Sequence, residues 1–190
     1  MQERIKNDLK ASIATKQAVL ETLVPQIEKA AQVIVKALKN GNKIFFFGNG
    51  GSAADSQHLA GELIGRFLKE RKSLAAIALT TDTSILTCLA NDYSFDMIFA
   101  RQLEGLAKSG DIAFGISTSG NSKNVLKGFA KAKEIGCPTI ALLGCGGGTI
   151  AKAADLVITV PSNETPRVQE SHITIGHIIC NLIEQEMFSA

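Results

Sequence analysis

No apolar run in this 190-residue chain approaches the roughly 18 residues that a membrane-spanning helix needs. The opening segment, MQERIKNDLK, is charged and amphipathic and lacks the apolar centre of a secretory signal, so the cytoplasm is the expected location. Basic runs are missing too, and a formal net charge of +2 gives no electrostatic reason to expect nucleic acid as a partner. Cys88, Cys137, Cys145 and Cys180 form no CxxC pair and sit singly in apolar surroundings, which suits buried thiols better than a disulfide framework or a cysteine zinc site. Neither GxGxxG nor a Walker lysine is present, which argues against dinucleotides and ATP. With no linker or low-complexity tract, residues 1–190 are expected to form one domain with a sizeable core.

What is present centres on KIFFFGNGGSAADSQHLAGELIGR, residues 43–66. An apolar strand, 43–47, breaks into Gly48-Asn49-Gly50-Gly51-Ser52 and then into a helical pattern. The glycines let the backbone turn through positive φ and approach a ligand closely. Ser52 is placed to cap the new helix, whose N-terminal amides favour an anion or an oxygen-rich ligand. His58 and Glu62, four residues apart, fall about 40° apart around that helix, so an imidazole and a carboxylate project together. They read either as a metal-ligand pair or as a solvated contact on a helix face.

Upstream, residues 2–39 carry apolar residues at helical spacing, with Pro25 expected to divide or kink the stretch and Asn40-Gly41-Asn42 to stop it. The first helix packs either on its own domain or against other subunits. Downstream, short apolar runs at 74–79, 112–116, 139–143 and 156–160 alternate with helical segments at 52–69, 82–90 with 94–107, 121–135, near 148–153, and 165–187. Together with 43–47 this predicts a five-stranded parallel sheet covered on both faces, an αβα sandwich behind N-terminal helices. Ligands of such sheets bind beyond the carboxyl ends of the strands, where strand order reverses. The loop at Gly48 and the turn Ser117-Thr118-Ser119-Gly120-Asn121-Ser122 both end strands.

That turn offers the hydroxyls of Ser117, Thr118, Ser119 and Ser122 just before a helix, a set that holds phosphate without a lysine cluster. Asn121 or Ser122 also fits a plain helix cap. The glycine-rich stretch 144–148 reads as a loop rather than a second phosphate cradle. Asn91-Asp92 form an Asx-rich turn or reach the site from a loop. Late in the chain stand Gln169, Glu170, His172 and His177. Gln169 and His177 are separated by about 12 Å along a straight helix and about 80° around it, too far for one ion unless the helix is irregular or the two approach from different directions. His172 suits core or surface.

GNGGSAADSQHLAGEL at 48–63, NDYSF at 91–95, GISTSGNSKNV at 115–125 and ETPRVQESHITIGHIICNLIE at 164–184 together resemble the phosphoheptose isomerases of the sugar isomerase (SIS) domain superfamily, over essentially the whole chain. STSGNS alone is shared by many SIS domains; the H-x3-E pair with a late Q-x7-H is more specific. The resemblance implies a flavodoxin-like fold and a homotetramer, residues 1–40 serving assembly and the sites lying at subunit interfaces. It implies conversion of sedoheptulose 7-phosphate to D-glycero-D-manno-heptose 7-phosphate for lipopolysaccharide or capsule. It implies one zinc ion per subunit on His58, Glu62, Gln169 and His177, and sugar contacts from Asn49, Gly50, Gly51, Asn91 and Asp92, with Glu62 and Gln169 also facing the substrate. Phosphate falls to Ser117, Thr118, Ser119 and Ser122. Aldose–ketose chemistry through an enediol makes Glu62 the expected base and His177 the expected acid. Gly61, within the helix, is accounted for by close helix packing. The rivals are a non-catalytic SIS adaptor of the replication-initiator-associating type, which needs no such His/Glu/Gln set, and a sugar-phosphate-sensing regulatory module.

Overall fold

In the computed structural model, which describes residues 1–188, successive side chains of β1 (Ile44–Gly48) point to opposite sides of a sheet. Ile44 and Phe46 enter one apolar cluster and Phe45 and Phe47 another, and all four are buried. A strand buried on both faces belongs inside a parallel sheet. Its neighbours are β2 (Ala76–Ala78) on one side and β3 (Ile112–Ser117) on the other; β4 (Thr139–Leu143) and β5 (Leu156–Thr159) continue the sheet, all parallel, in the order β2-β1-β3-β4-β5. This is the flavodoxin-like order, with its reversal between β1 and β3.

Two helical layers cover the sheet. The Ile44/Phe46 side packs against α1 (Gln2–Thr22), α2 (Val24–Lys39), α3 (Gly51–Ile64) and α7 (Thr165–Met187). The other side meets α4 (Thr83–Asp92), α5 (Ile98–Leu106) and α6 (Lys123–Ile135). Residues 189 and 190, included in the expected single domain, lie outside the described residues.

Several boundaries differ from those expected. The N-terminal helices divide at Leu23; Pro25 sits in the first turn of α2, where a missing amide costs nothing. β2 is shorter than 74–79, and the segment near 148–153 resolves into two 3-10 turns, Cys145–Gly147 and Ile150–Lys152. α3 stops at Ile64 instead of 69, because the amides of Phe67, Leu68 and Lys69 bond to Glu184 on α7 rather than continuing the helix. Gly61 has open space where a Cβ would stand, so close packing does not explain it. The close packing lies at Gly176, whose Cβ would come 2.6 Å from Leu59 Cδ2. All four cysteines are free, but only Cys137 and Cys180 are buried; Cys88 is exposed on α4 and Cys145 is half-buried.

Candidate active site

α3 and α7 lie side by side, and at their closest approach three ligand-type side chains meet. His58 Nε2 lies 2.9 Å from Glu62 Oε1 and 3.1 Å from His177 Nε2. One ligand atom from each of the three residues lies within 4.8 Å of the others. His58 and Glu62 share a face because they are one turn apart, and Gly176 lets α7 come close enough to bring in the next residue, His177. The ring of Phe67 rests on His177, with centroids 5.4 Å apart.

Convergence of two imidazole nitrogens and a carboxylate oxygen is a donor set that zinc accepts. Tetrahedral ligands at about 2.0–2.1 Å stand a little over 3 Å from one another, and catalytic zinc sites commonly use three protein ligands with a fourth position open. The group therefore fits.

Gln169 does not join them within its own chain. α7 is a continuous helix, which leaves Gln169 about 12 Å from His177 along the axis. Its amide occupies the space where Gly51 would carry a Cβ, at the start of α3. A side chain at position 51 would displace that amide.

The turn into α3 is made by Gly50, with φ of 54°, while Gly48 and Gly51 have ordinary φ. Gly50 is also the N-cap. Ser52 is not the cap; it is buried in the first turn, where its carbonyl accepts the hydroxyl of Ser56. After β3, the Ser117 and Ser122 hydroxyls bond each other at 3.0 Å, and the Asn121 amide donates to Ser119 Oγ at 3.2 Å. Ser122 precedes α6 without spending its hydroxyl on the helix's amides. Thr118 is half-buried and Ser119 exposed. The loop after β4 braces this turn: Thr149 donates its amide to Asn121 Oδ1 at 3.0 Å, and the Ile150 amide bonds to Gly120 O at 2.9 Å. The stretch 144–148 is a loop that contains the Cys145–Gly147 turn, and the bracing bonds come from the two residues after it.

Asn91 and Asp92 occupy the last turn of α4 and bond each other, Nδ2 to Oδ1, at 2.8 Å; they do not form a free Asx turn. The hollow beside Asn49 and Gly50, about 170 Å³, is lined instead by Ala53, Thr80, Leu86 and Phe95. His172 is a core residue, its Nε2 donating to Leu143 O at 3.0 Å. Burial pushes its pKa down to about 4, so the ring is neutral.

Two features were not read from the sequence. Asn124, buried in the first turn of α6, bonds Asn49 across the strand-order reversal; an Asn beside a Ser/Thr turn carries no signal of such a partner. Asp55, one turn before His58 on α3, has a buried Oδ2 without a partner. Burial raises the Asp55 carboxyl above its ordinary value, and the positive field of His58 partly offsets this.

Known proteins share this arrangement of chain and fold. The SIS domain family matches residues 9–144. The phosphoheptose isomerase of Aquifex aeolicus is 55% identical over 185 residues, 97% of each chain. Among solved structures, a phosphoheptose isomerase from Neisseria gonorrhoeae superposes with a TM-score of 0.93 at 44% identity, covering 97% of this chain and 98% of its own. One from Francisella tularensis gives 0.94 at 36% identity with the same coverage.

Proposed function

This chain belongs to the phosphoheptose isomerases of the SIS domain family, aldose–ketose isomerases that act on sedoheptulose 7-phosphate, and we propose that Glu62 and His177 carry its proton transfers. The observation behind the proposal is the meeting of His58, Glu62 and His177 at 2.9 and 3.1 Å between α3 and α7. The reaction moves a proton between C1 and C2 of the sugar through an enediol, giving D-glycero-D-manno-heptose 7-phosphate. Glu62 presents Oε1 to His58, and its second oxygen takes the carbon-bound proton. His177, on the facing helix, donates to and recovers a proton from the carbonyl oxygen through Nδ1, the ring nitrogen that does not face His58. The Phe67 ring packs beside the His177 imidazole.

His58, Glu62 and His177 hold one zinc ion per subunit in this reading; bound there, zinc supplies a Lewis acid for the carbonyl and the enediolate charge. Gln169 reaches such an ion only from a second copy, and within its own chain it borders the Gly48–Gly51 loop. The hydroxyls of Ser117, Thr118, Ser119 and Ser122 hold the phosphate and Asn49, Gly50 and Gly51 face the sugar in this reading, which gives Asn91 and Asp92, outside the hollow of this single chain, to the sugar as well.

The assembly is a homotetramer with sites at its interfaces. Supporting this, α1 exposes Ile5, Leu9, Ile13 and Leu20 at 54–67% of their area, an apolar face that a further copy covers. No helix among the described residues is long and apolar enough to cross a membrane. We place the enzyme in the cytoplasm, supplying heptose for surface polysaccharide such as lipopolysaccharide or capsule. The adaptor reading is not favoured, since an adaptor has no use for the assembled His58/Glu62/His177 group.

The test is an assay with sedoheptulose 7-phosphate in deuterium oxide, with and without a chelator, followed by NMR. Deuterium entering at C1 or C2, lost with the chelator and restored by zinc, supports the reading. Conversion without exchange would replace the enediol with a hydride shift.

A further inference from the structure

Arg71 and Glu184 are joined at 2.9 Å with both side chains only 1% exposed. Arg71 lies in the irregular segment after α3, and Glu184 is on α7, seven residues beyond His177 and so two turns along the same face. The Arg71 guanidinium donates Nη2 to Glu62 O at 2.8 Å, and Nη1 to Leu63 O at 2.7 Å and Gly65 O at 3.0 Å. These are carbonyls at the end of α3, where the helix has no donors of its own to offer. Glu184 accepts the amides of Phe67 and Leu68 at 2.8 Å and of Lys69 at 2.9 Å. Burial by itself would raise its carboxyl; the three amides and Arg71 outweigh that and hold it below the ordinary glutamate value.

The pair therefore touches both halves of the reacting machinery. On one side Arg71 grips the backbone of Glu62. On the other, Glu184 fixes the loop whose Phe67 ring lies on His177. A surface loop could be closed by far less; this one uses a buried guanidinium and a buried carboxylate with hydrogen bonds to seven different backbone groups besides one another.

We infer that Arg71 and Glu184 are positioning residues for the isomerisation, setting the spacing and orientation of Glu62 against His177 by tying the end of α3 to α7. This rests on the roles given above to Glu62 and His177. A pair that served the scaffold alone would alter melting temperature and leave the folded enzyme's chemistry unchanged.

The experiment uses the full chain with Glu184→Gln, Arg71→Lys, Phe67→Leu and the double substitution R71M/E184M, which leaves no unpaired buried charge should a single variant fail to fold. Each is assayed well below its melting midpoint for kcat and KM with sedoheptulose 7-phosphate, and its affinity for zinc ion alone is measured by chelator competition. Groups that orient metal ligands typically contribute about 10- to 100-fold to activity or affinity. The expected result is a kcat loss and a weakening of zinc binding of about that size for the ion-pair variants, with KM changed less than about threefold. Phe67→Leu keeps the ion pair and is expected to lower kcat severalfold with little change in melting. Wild-type kcat and zinc affinity in Phe67→Leu and in every ion-pair variant that folds would overturn the inference. Glu62→Gln and His177→Ala run alongside: if they stay active, the site reading itself fails; if they are inactive while the others behave as wild type, only the positioning role fails.

Discussion

Asn49 and Asn124 exchange two amide hydrogen bonds, 2.9 and 2.8 Å, across the reversal of strand order between β1 and β3. Asn124 Oδ1 also accepts the Val125 amide at 2.9 Å, which fixes which end of that amide is oxygen and hence the orientation of both partners. One side chain leaves the Gly48–Gly51 loop, and the other leaves α6 just after the Ser117–Ser122 turn. The pair thus holds the loop after β1 and the turn after β3 in register. It also changes what Asn49 can do: one donor and its oxygen are already engaged, so any sugar contact uses the remaining N–H or the backbone.

Asn124→Asp keeps the size of the side chain and removes the donor to Asn49 Oδ1. An ionised carboxylate still accepts from Asn49 but faces its oxygen. Losing one buried hydrogen bond and leaving an acceptor unpaired costs about 1–3 kcal/mol, so kcat/KM is expected to fall about 10- to 100-fold at neutral pH. Lowering the pH until the new carboxyl protonates returns a donor and should recover part of the loss relative to wild type. Steady-state kinetics across pH checks this; a variant with wild-type kcat/KM throughout would reduce the pair to a packing contact.

Glu62→Gln and His177→Ala should separate binding from chemistry. Removing a positioned acid or base typically costs about 10²- to 10⁴-fold. Both variants are therefore expected to lose kcat on that scale while KM for sedoheptulose 7-phosphate stays within a few-fold, because the hydroxyls after β3 are untouched. Glu62→Gln should in addition abolish solvent deuterium uptake at the sugar carbons. Uptake at the wild-type rate would move the base elsewhere.

His172 predicts an acid sensitivity unconnected with catalysis. It is buried and neutral, with a pKa near 4 in the fold against 6.5 for an ordinary histidine. Below pH 6.5 the unfolded chain takes up a proton that the folded chain refuses, so stability falls as pH drops from about 6.5 towards 4 and levels off below. The full effect is about 3 kcal/mol. His172→Gln keeps a donor for Leu143 O and removes the titration. Urea unfolding of both proteins between pH 7 and 5 should show a shallower loss in the variant; parallel curves would mean that His172 does not set the slope.

Much of this fold was legible because its strands are short, apolar and bounded by glycine. Phe45–Phe47 reads as a doubly buried strand, and the β1 and β3 loops fall where parallel sheets place ligands. His58 and Glu62 were legible as a pair because four residues on a helix fix their relation locally. Their meeting with His177 was suggested by motif alone, since 119 residues separate His58 from His177 and no local rule carries across that distance. The fate of Gln169 was not legible for the same reason: whether α7 runs straight decides it. Nor could α3's early end be read, because the residue that stops it, Glu184, is 115 positions further on than Lys69. Nothing local in the sequence marks Asn124 or Arg71; only the fold supplies their partners.

Gly176 offers a direct test of the distance between α3 and α7. A methyl group there would come 2.6 Å from Leu59 Cδ2 and 3.0 Å from Cδ1, and Leu59 is only 2% exposed, so its tip has little room to retreat. Gly176→Ala should therefore push α7 away from α3 at the level of His58 and His177, lowering kcat and zinc affinity together by about 10-fold or more, the scale on which misplaced ligand-orienting groups act. Its helix propensity works in the opposite direction, since alanine favours a helix interior by about 1 kcal/mol over glycine. A small change in melting temperature with a large change in kcat is thus the expected signature. Adding Leu59→Ala to Gly176→Ala removes the colliding atoms and should recover zinc affinity even as the lost core volume lowers stability. Recovery of function against a falling melting temperature would tie activity to the helix spacing; if the double variant bound zinc no better than Gly176→Ala alone, the contact between Gly176 and Leu59 would not be what brings His177 to His58.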